Sequence, residues 1–436
     1  MQKPTFKEAV KFWIKLGFIS FGGPAGQIAI MHEFLVEKKK WISESKFLHA
    51  LNYCMLLPGP EAQQLAIYTG WLLHGTLGGL VAGIFFVLPS MFILLGLSAA
   101  YVSFGSIPWV YALFVGLKPA VIAIVVLALI KISKKSLVSP MYYTVALASF
   151  VGLYFFKIPF PIIIATAIII AFLIRKLFPN LFMVNSRKMQ QQKIAEEKYY
   201  INDRTILPNS GFSPFRFWKQ FSSGVLFWVV PFTAFYFFTS DFEFWKTLIL
   251  FFTQAAFVTF GGAYAVLPYV AQVSVEKFNW LTNLQMIDGL ALGETTPGPL
   301  IMILTYVGFM AGYNHFGSSL AMGTIGLLTT TFYTFLPSFL FIFIGAPIIE
   351  RTQESKIIKD VLSIVTAAIV GVIFNLTIYL GKAVIFPRGV TLIDLDVVSL
   401  FWIVVSFLAL HRFKVELIPW IGISGVFGLL SYFMKL

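Results

Sequence analysis

Two short segments, Pro58-Gly59-Pro60 and Pro297-Gly298-Pro299, interrupt otherwise apolar runs and carry the most specific chemistry in the chain. Proline removes an N–H donor and clashes with the preceding turn, and glycine adds freedom, so a helix cannot run through either segment. The residues after the first, Glu61-Ala62-Gln63-Gln64-Leu65-Ala66, read as a fresh helix with Pro60 near its first position, where proline fits. A helix that starts inside a membrane offers free N–H groups at the positive end of its dipole, a natural seat for an anion. Each start supplies roughly half a positive charge, so two facing starts supply roughly one. A tetrahedral dianion needs at least one cation more. Lys118, in Val115-Gly116-Leu117-Lys118-Pro119-Ala120, is the best candidate. An intramembrane lysine costs roughly 2.5–3.5 kcal/mol, which makes a functional role the default; snorkelling to an interface is the alternative.

Other groups could take part. Glu61 follows the first break and Glu294 precedes the second. Each either satisfies local electrostatics or exchanges a proton as an anion comes and goes, and Leu300 replaces Glu61 in the second half. Gln63, Gln64, Asn52, Thr295 and Thr296 could donate to the anion, or satisfy backbone groups that the breaks set free. Gly22, Gly23, Gly261 and Gly262 permit close backbone approach or expose N–H groups to a ligand. Tyr68 and Tyr306 read as packing residues. His32, His49 and His74 are scattered without acidic or Cys partners at ligand spacing, so neither a metal nor a cofactor is expected.

These residues must be held by membrane helices. The chain has 436 residues, 58% hydrophobic and only 12% charged. Several apolar runs exceed about 18 residues, the length that reads as a bilayer-crossing helix. The fold class is therefore an all-α polytopic membrane protein. The net charge of +13 does not imply nucleic-acid binding, because much of the basic excess sits in short loops such as Lys131–Lys135 and Arg175-Lys176. The single cysteine, Cys54, excludes an internal disulfide. The N-terminal stretch has lysines but no cleavage-site pattern, and reads as cytoplasmic.

The plan occurs twice. Phe260-Gly261-Gly262 matches Phe21-Gly22-Gly23, Trp280 matches Trp41, and the two Pro-Gly-Pro segments match each other. The offsets agree: 260 − 21, 280 − 41 and 297 − 58 each give 239. Leu336-Pro337-Ser338 repeats Leu88-Pro89-Ser90 after a short insertion. Internal duplication with broken helices is a signature of secondary transporters. The division expected is a first membrane repeat over 1–178, a cytoplasmic linker over 179–215, and a second repeat over 216–436 that begins with one additional span. That odd span inverts the second copy. Each half of a broken stretch has about 12 residues, or about 18 Å of helix, too short to cross about 30 Å of hydrocarbon. The stretches are therefore re-entrant hairpins or long kinked spans. Hairpins are favoured, because they keep Lys38-Lys39-Lys40 inside.

Phe21-Gly22-Gly23-Pro24-Ala25, Trp41-Ile42-Ser43-Glu44, Leu57-Pro58-Gly59-Pro60 with Gln64-Leu65-Ala66 and Tyr68, then Thr259-Phe260-Gly261-Gly262 and Thr296-Pro297-Gly298-Pro299 resemble the chromate ion transporter family in its two-domain, long-chain form. The resemblance implies export of chromate across the inner membrane, driven by the proton motive force, with sulfate as a related or competing oxyanion. One departure is visible: the family often has His where this chain has Gln27. A passive anion channel is the competing reading. An enzyme would need a cluster of catalytic groups, and an ATP-driven pump a phosphate-cradling Gly-rich loop; the sequence offers neither. A homodimer is compatible with the sequence.

Overall fold

The computed structural model describes residues 4–21, 23–177, 198–202, 205, 211–349, 356–387 and 394–434. Gly22 and most of the expected linker lie outside them. In order, the elements are α1 (Phe6–Ile19), α2 (Gly23–His32) with a π turn (Glu33–Lys38), α3 (Glu44–Cys54), α4 (Glu61–Phe104), α5 (Pro108–Ser136), α6 (Pro140–Tyr154) and α7 (Phe160–Leu177). Then follow α8 (Pro214–Phe238), α9 (Phe242–Val258), α10 (Ala263–Gln272) with a second π turn (Val273–Lys277), and α11 (Asn283–Thr295). A 3-10 turn (Leu300–Met302) leads into α12 (Ile303–His315), followed by α13 (Leu320–Ile349), α14 (Lys356–Ile385), α15 (Val397–His411) and α16 (Leu417–Met434). Among the described residues, seven helices are long and apolar enough to cross a membrane: α4, α5, α7, α8, α13, α14 and α16. The protein is an all-α, polytopic membrane protein.

The duplication extends to local structure. Ser43 caps α3 by accepting from the Lys46 N–H, and Thr282 caps α11 by accepting from the Gln285 N–H; 282 − 43 is again 239. Both caps satisfy N–H groups that a helix start leaves unpaired. The π turns recur at the same place. In α4, His74 and Gly75 leave the helical conformation, with Gly75 at φ +65°, so α4 comprises a short arm and a long one.

The broken stretches are hairpins. The Phe12 ring of α1 stacks on Phe34 with centroids 3.8 Å apart, and both meet Trp41 edge-on. His74 Nε2 lies 2.9 Å from the Pro4 carbonyl oxygen. The start of α1, the end of its return arm and the end of the short arm of α4 therefore lie at one level. The second half does the same: His315 Nε2 is 2.6 Å from Asp241 Oδ2, and Asn314 Nδ2 donates to the Trp280 carbonyl. The breaks form the hairpin tips, and the tips of one half meet those of the other. Gly59 N–H donates to Thr259 O at 2.7 Å and Gly298 N–H donates to Ser20 O at 2.8 Å. The pairs are exact mates, since 259 − 20 and 298 − 59 both equal 239. The two halves thus exchange the same backbone bond through their tips.

The remaining helices interleave: α5 packs on α15 and α16, while α14 packs on α6 and α7. Gly116 and Gly428 allow the first of these contacts, since a Cβ on either would strike backbone of the other helix.

One expectation needs revision. Lys131–Lys135 lies not in a loop but in the final turns of α5, where its charges complement the helix dipole. Within the linker, Ile201 pairs with Ile42, and Ser43 N–H donates to Ile201 O at 2.8 Å. That contact puts the linker's end on the same face as the Lys38–Lys40 turn.

Candidate functional site

The tips are built from three duplicated motifs. Gly59 and Gly298 have φ of +120° and +94°, in the region that glycine alone adopts freely. Ser90 of the first Leu-Pro-Ser donates to the Pro297 carbonyl. Its mate Ser338 faces Gly59, where an added Cβ would lie 2.9 Å from Ser338 Oγ. Gln27 Nε2 donates to Gly298 O at 2.5 Å and to Ser20 O at 3.2 Å, so the residue that departs from the family pattern ties two tips together. Gln64 Nε2 donates to Pro58 O at 2.7 Å. Thr295 and Thr296 donate to Leu292 O and Gly293 O, at 2.7 and 2.9 Å. These groups serve carbonyls that the breaks set free, which is their structural role. Gly23, Gly261 and Gly262 take positive φ at the Gly-Gly turns.

The two helix starts differ. At the α4 start, Pro60 is the cap and Pro58, Gly59 and Glu61 lead into Gln63 and Gln64, both fully buried. Neither polar atom of Gln63 has a partner, and Ser338 Oγ and Gln64 Oε1 are also unpaired. A buried polar atom left unpaired costs about 1–3 kcal/mol, so donors collected at a positive helix end suit an anion or water. After Pro297, Gly298 and Pro299, Leu300, Ile301 and Met302 form an apolar 3-10 turn. Glu294 is held by Tyr264, whose hydroxyl donates to Oε1 at 2.6 Å.

Lys118 is buried on α5, but apart from the tips. Its Nζ is 3.5 Å from Asp288 Oδ1 of α11, with side chains only 8% and 5% exposed. Tyr101 of α4 donates to Asp288 Oδ2 at 2.9 Å, and the Tyr111 ring lies under Nζ at 5.5 Å. Gly289 makes room for the Tyr306 ring beside them. A cavity of about 270 Å³ opens onto the pair, lined among others by Tyr101, Tyr111, Gln285 and Tyr313. None of the Pro-Gly-Pro residues lines it. Asp288 precedes Pro297 by nine residues, roughly 13 Å along a helix. The structure thus brings the tips together and sets Lys118 with Asp288 in a neighbouring chamber. Sequence reasoning missed Asp288, although the intramembrane-charge argument applied to Lys118 covers it equally.

The profile of the chromate transporter family matches residues 7–172 and 246–429. A chromate transport protein of Cupriavidus metallidurans is 28% identical over 91% of this chain and 88% of its own length. A probable chromate transport protein of Synechococcus elongatus is 27% identical over 91% of this chain and 90% of its own. A chromate transport protein of Pseudomonas aeruginosa is 29% identical over 85% and 80%. No solved structure matches the chain.

Proposed function

The chain belongs to the chromate transporter family, and we propose that it is a secondary active transporter that exports chromate, and sulfate or a related oxyanion, across the inner membrane under the proton motive force. The observation that carries this reading is the α4 start: a helix N-terminus buried at the meeting of four hairpin tips, with unpaired donors on Gln63 and Ser338. The anion meets the amides after Pro60 there and is held by the Lys118 ammonium in the neighbouring chamber. Gly22, Gly23, Gly59, Gly261, Gly262 and Gly298 shape the turns around it. Glu61 and Glu294, beside the two tips, are proton-coupling candidates. The two halves act as repeats that expose the tips alternately, with the N-terminus, the linker and the Lys38–Lys40 turn on the cytoplasmic face.

The energetics suit export. Moving one charge through the membrane potential is worth about 2.3 kcal/mol per 100 mV, so a dianion leaving a negative interior gains about 4.6 kcal/mol per 100 mV. That sustains a gradient of about three powers of ten. The test is chromate flux in proteoliposomes. A coupled transporter moves chromate uphill when a pH gradient is imposed at zero potential. A passive channel, the second reading, leaves it at equilibrium, and that result would overturn the proposal.

A further inference from the structure

We propose that Asp288 is a built-in competitor for the transported oxyanion, holding Lys118 when the chamber is empty and yielding it only on taking up a proton. The inference rests on the transport reading and assigns the coupled proton to Asp288 over Glu61 and Glu294. Of these three carboxylates, Asp288 is the one paired with a buried cation, at 3.5 Å, and its chamber opens to a cavity of about 270 Å³ in which an oxyanion fits.

The charge count gives the mechanism. The empty pair is neutral. A dianion entering beside an ionised Asp288 would face a carboxylate at contact distance in a poorly screened chamber, and Lys118 cannot serve both. If Asp288 accepts a proton from water, its bond to Lys118 loses its ionic character and Nζ is free to pair with the dianion. The loaded site then holds one ammonium, one neutral carboxyl and one dianion, with net charge −1. Release reverses the step: the anion leaves, Asp288 returns its proton to water, and the ion pair re-forms. Tyr101 donates to Asp288 Oδ2 and leaves Oδ1, the oxygen facing Lys118, as the one to be protonated. The titratable groups around Asp288 are Lys118 and Tyr111 of α5, Tyr101 of α4 and Tyr306 of α12. α14 also packs on α11, where Tyr379 interacts with Glu276 and Asn283. Among the groups that touch Asp288, Lys118 is the charged one.

One proton therefore accompanies each dianion in the same direction. Inside-negative potential still drives export, but the pair moves one net negative charge outward, so the electrical drive is half that of an unaccompanied dianion, and acid outside opposes it. The experiment adds chromate to the purified full-length protein in weakly buffered alkaline solution, where chromate is fully ionised, and counts protons taken up. The expected result is one proton per chromate bound, with affinity falling about tenfold per pH unit. Asp288→Asn binds chromate with no proton uptake and flat pH dependence, whereas Glu61→Gln and Glu294→Gln still take up the proton. Chromate binding by the unmodified protein without proton uptake, or uptake that persists in Asp288→Asn, would overturn this inference alone. That first count decides the matter even if the variant does not fold. No chromate binding at all would overturn the transport reading with it.

Discussion

Replacing Lys118 by methionine keeps the length of the side chain and strands Asp288. At 3.5 Å and an effective dielectric near 20, the pair attracts with about 5 kcal/mol, before the cost of desolvating both groups. Removing one partner of a buried pair costs about 3–5 kcal/mol, because the other charge is left uncompensated. Lys118→Met is therefore expected to lose stability on that scale as well as transport. The loss shrinks as the pH falls, because protonation removes the stranded charge. Lys118→Met combined with Asp288→Leu is expected to regain stability, since apolar replacement of a whole buried pair is often neutral or stabilising by about 1–4 kcal/mol. The double variant remains inactive. The assay is twofold: the fraction of monodisperse protein surviving a heating series in detergent, and chromate flux from vesicles of matched protein content. A single variant as stable as the unmodified protein would refute the ion pair. A double variant that transports at full rate would remove Lys118 from the site.

Alanine at Gly298 must hold φ near +94°, worth about 1–2 kcal/mol for a residue with a Cβ, and it also collides with Ser90. Gly59→Ala carries a like backbone strain at φ +120° but a milder collision, with the movable ends of Gln64 and Ser338, so Gly298→Ala is expected to lose more flux, and Ser90→Ala to restore part of it. Gln27→Ala leaves the buried Gly298 carbonyl without its side-chain donor and should cost about 1–3 kcal/mol in thermal stability, with no change if that bond is absent. Asp241, at the α8–α9 turn, is held below the usual carboxylate range by the His315 bond and the Phe244 N–H. A depressed folded-state value means that stabilisation is present above the ordinary carboxylate range and lost as pH falls through the folded value. Asp241→Asn should therefore melt slightly below the unmodified protein near neutrality, and the gap should close in acid.

Much of the frame is legible in the residues, and the reasons are local. A proline-bracketed glycine breaks a helix wherever it stands, and a constant offset of 239 exposes the duplication without any structure. Arms too short to cross the bilayer, with lysines at Lys38–Lys40, point to hairpins, and the Phe12–Phe34 stack is the contact that such a fold requires. What the sequence hides is which break meets which. Ser90 illustrates why. A serine inside a helix commonly bonds back to its own fourth-preceding carbonyl, as Ser98 does with Leu94, so its type does not reveal that Ser90 reaches Pro297. Asp288 stands in the apolar run Met286–Leu292 and becomes conspicuous only when Lys118, 170 positions earlier (288 − 118), is beside it.

The duplication accounts for the scaffold and not for the charges. Broken backbone must be satisfied in both halves, and both halves use the same device, a tip amide given to the opposite repeat. Charge need be installed only once. The mate of Asp288 is His49 (288 − 239), and the mate of Glu61 is Leu300 (61 + 239). At the Leu-Pro-Ser offset of 248 (336 − 88), the mate of Lys118 is Thr366 (118 + 248). Each intramembrane charge costs roughly 2.5–3.5 kcal/mol to insert, so a second copy of the pair would add expense without a second anion to hold. An architecture with a pseudo-twofold and a site without one is what a single-anion carrier requires. Restoring symmetry with His49→Asp and Thr366→Lys should then create a second binding site on the symmetric frame. A measured one chromate per chain in a folded variant would mean that the charge pair alone does not define the site.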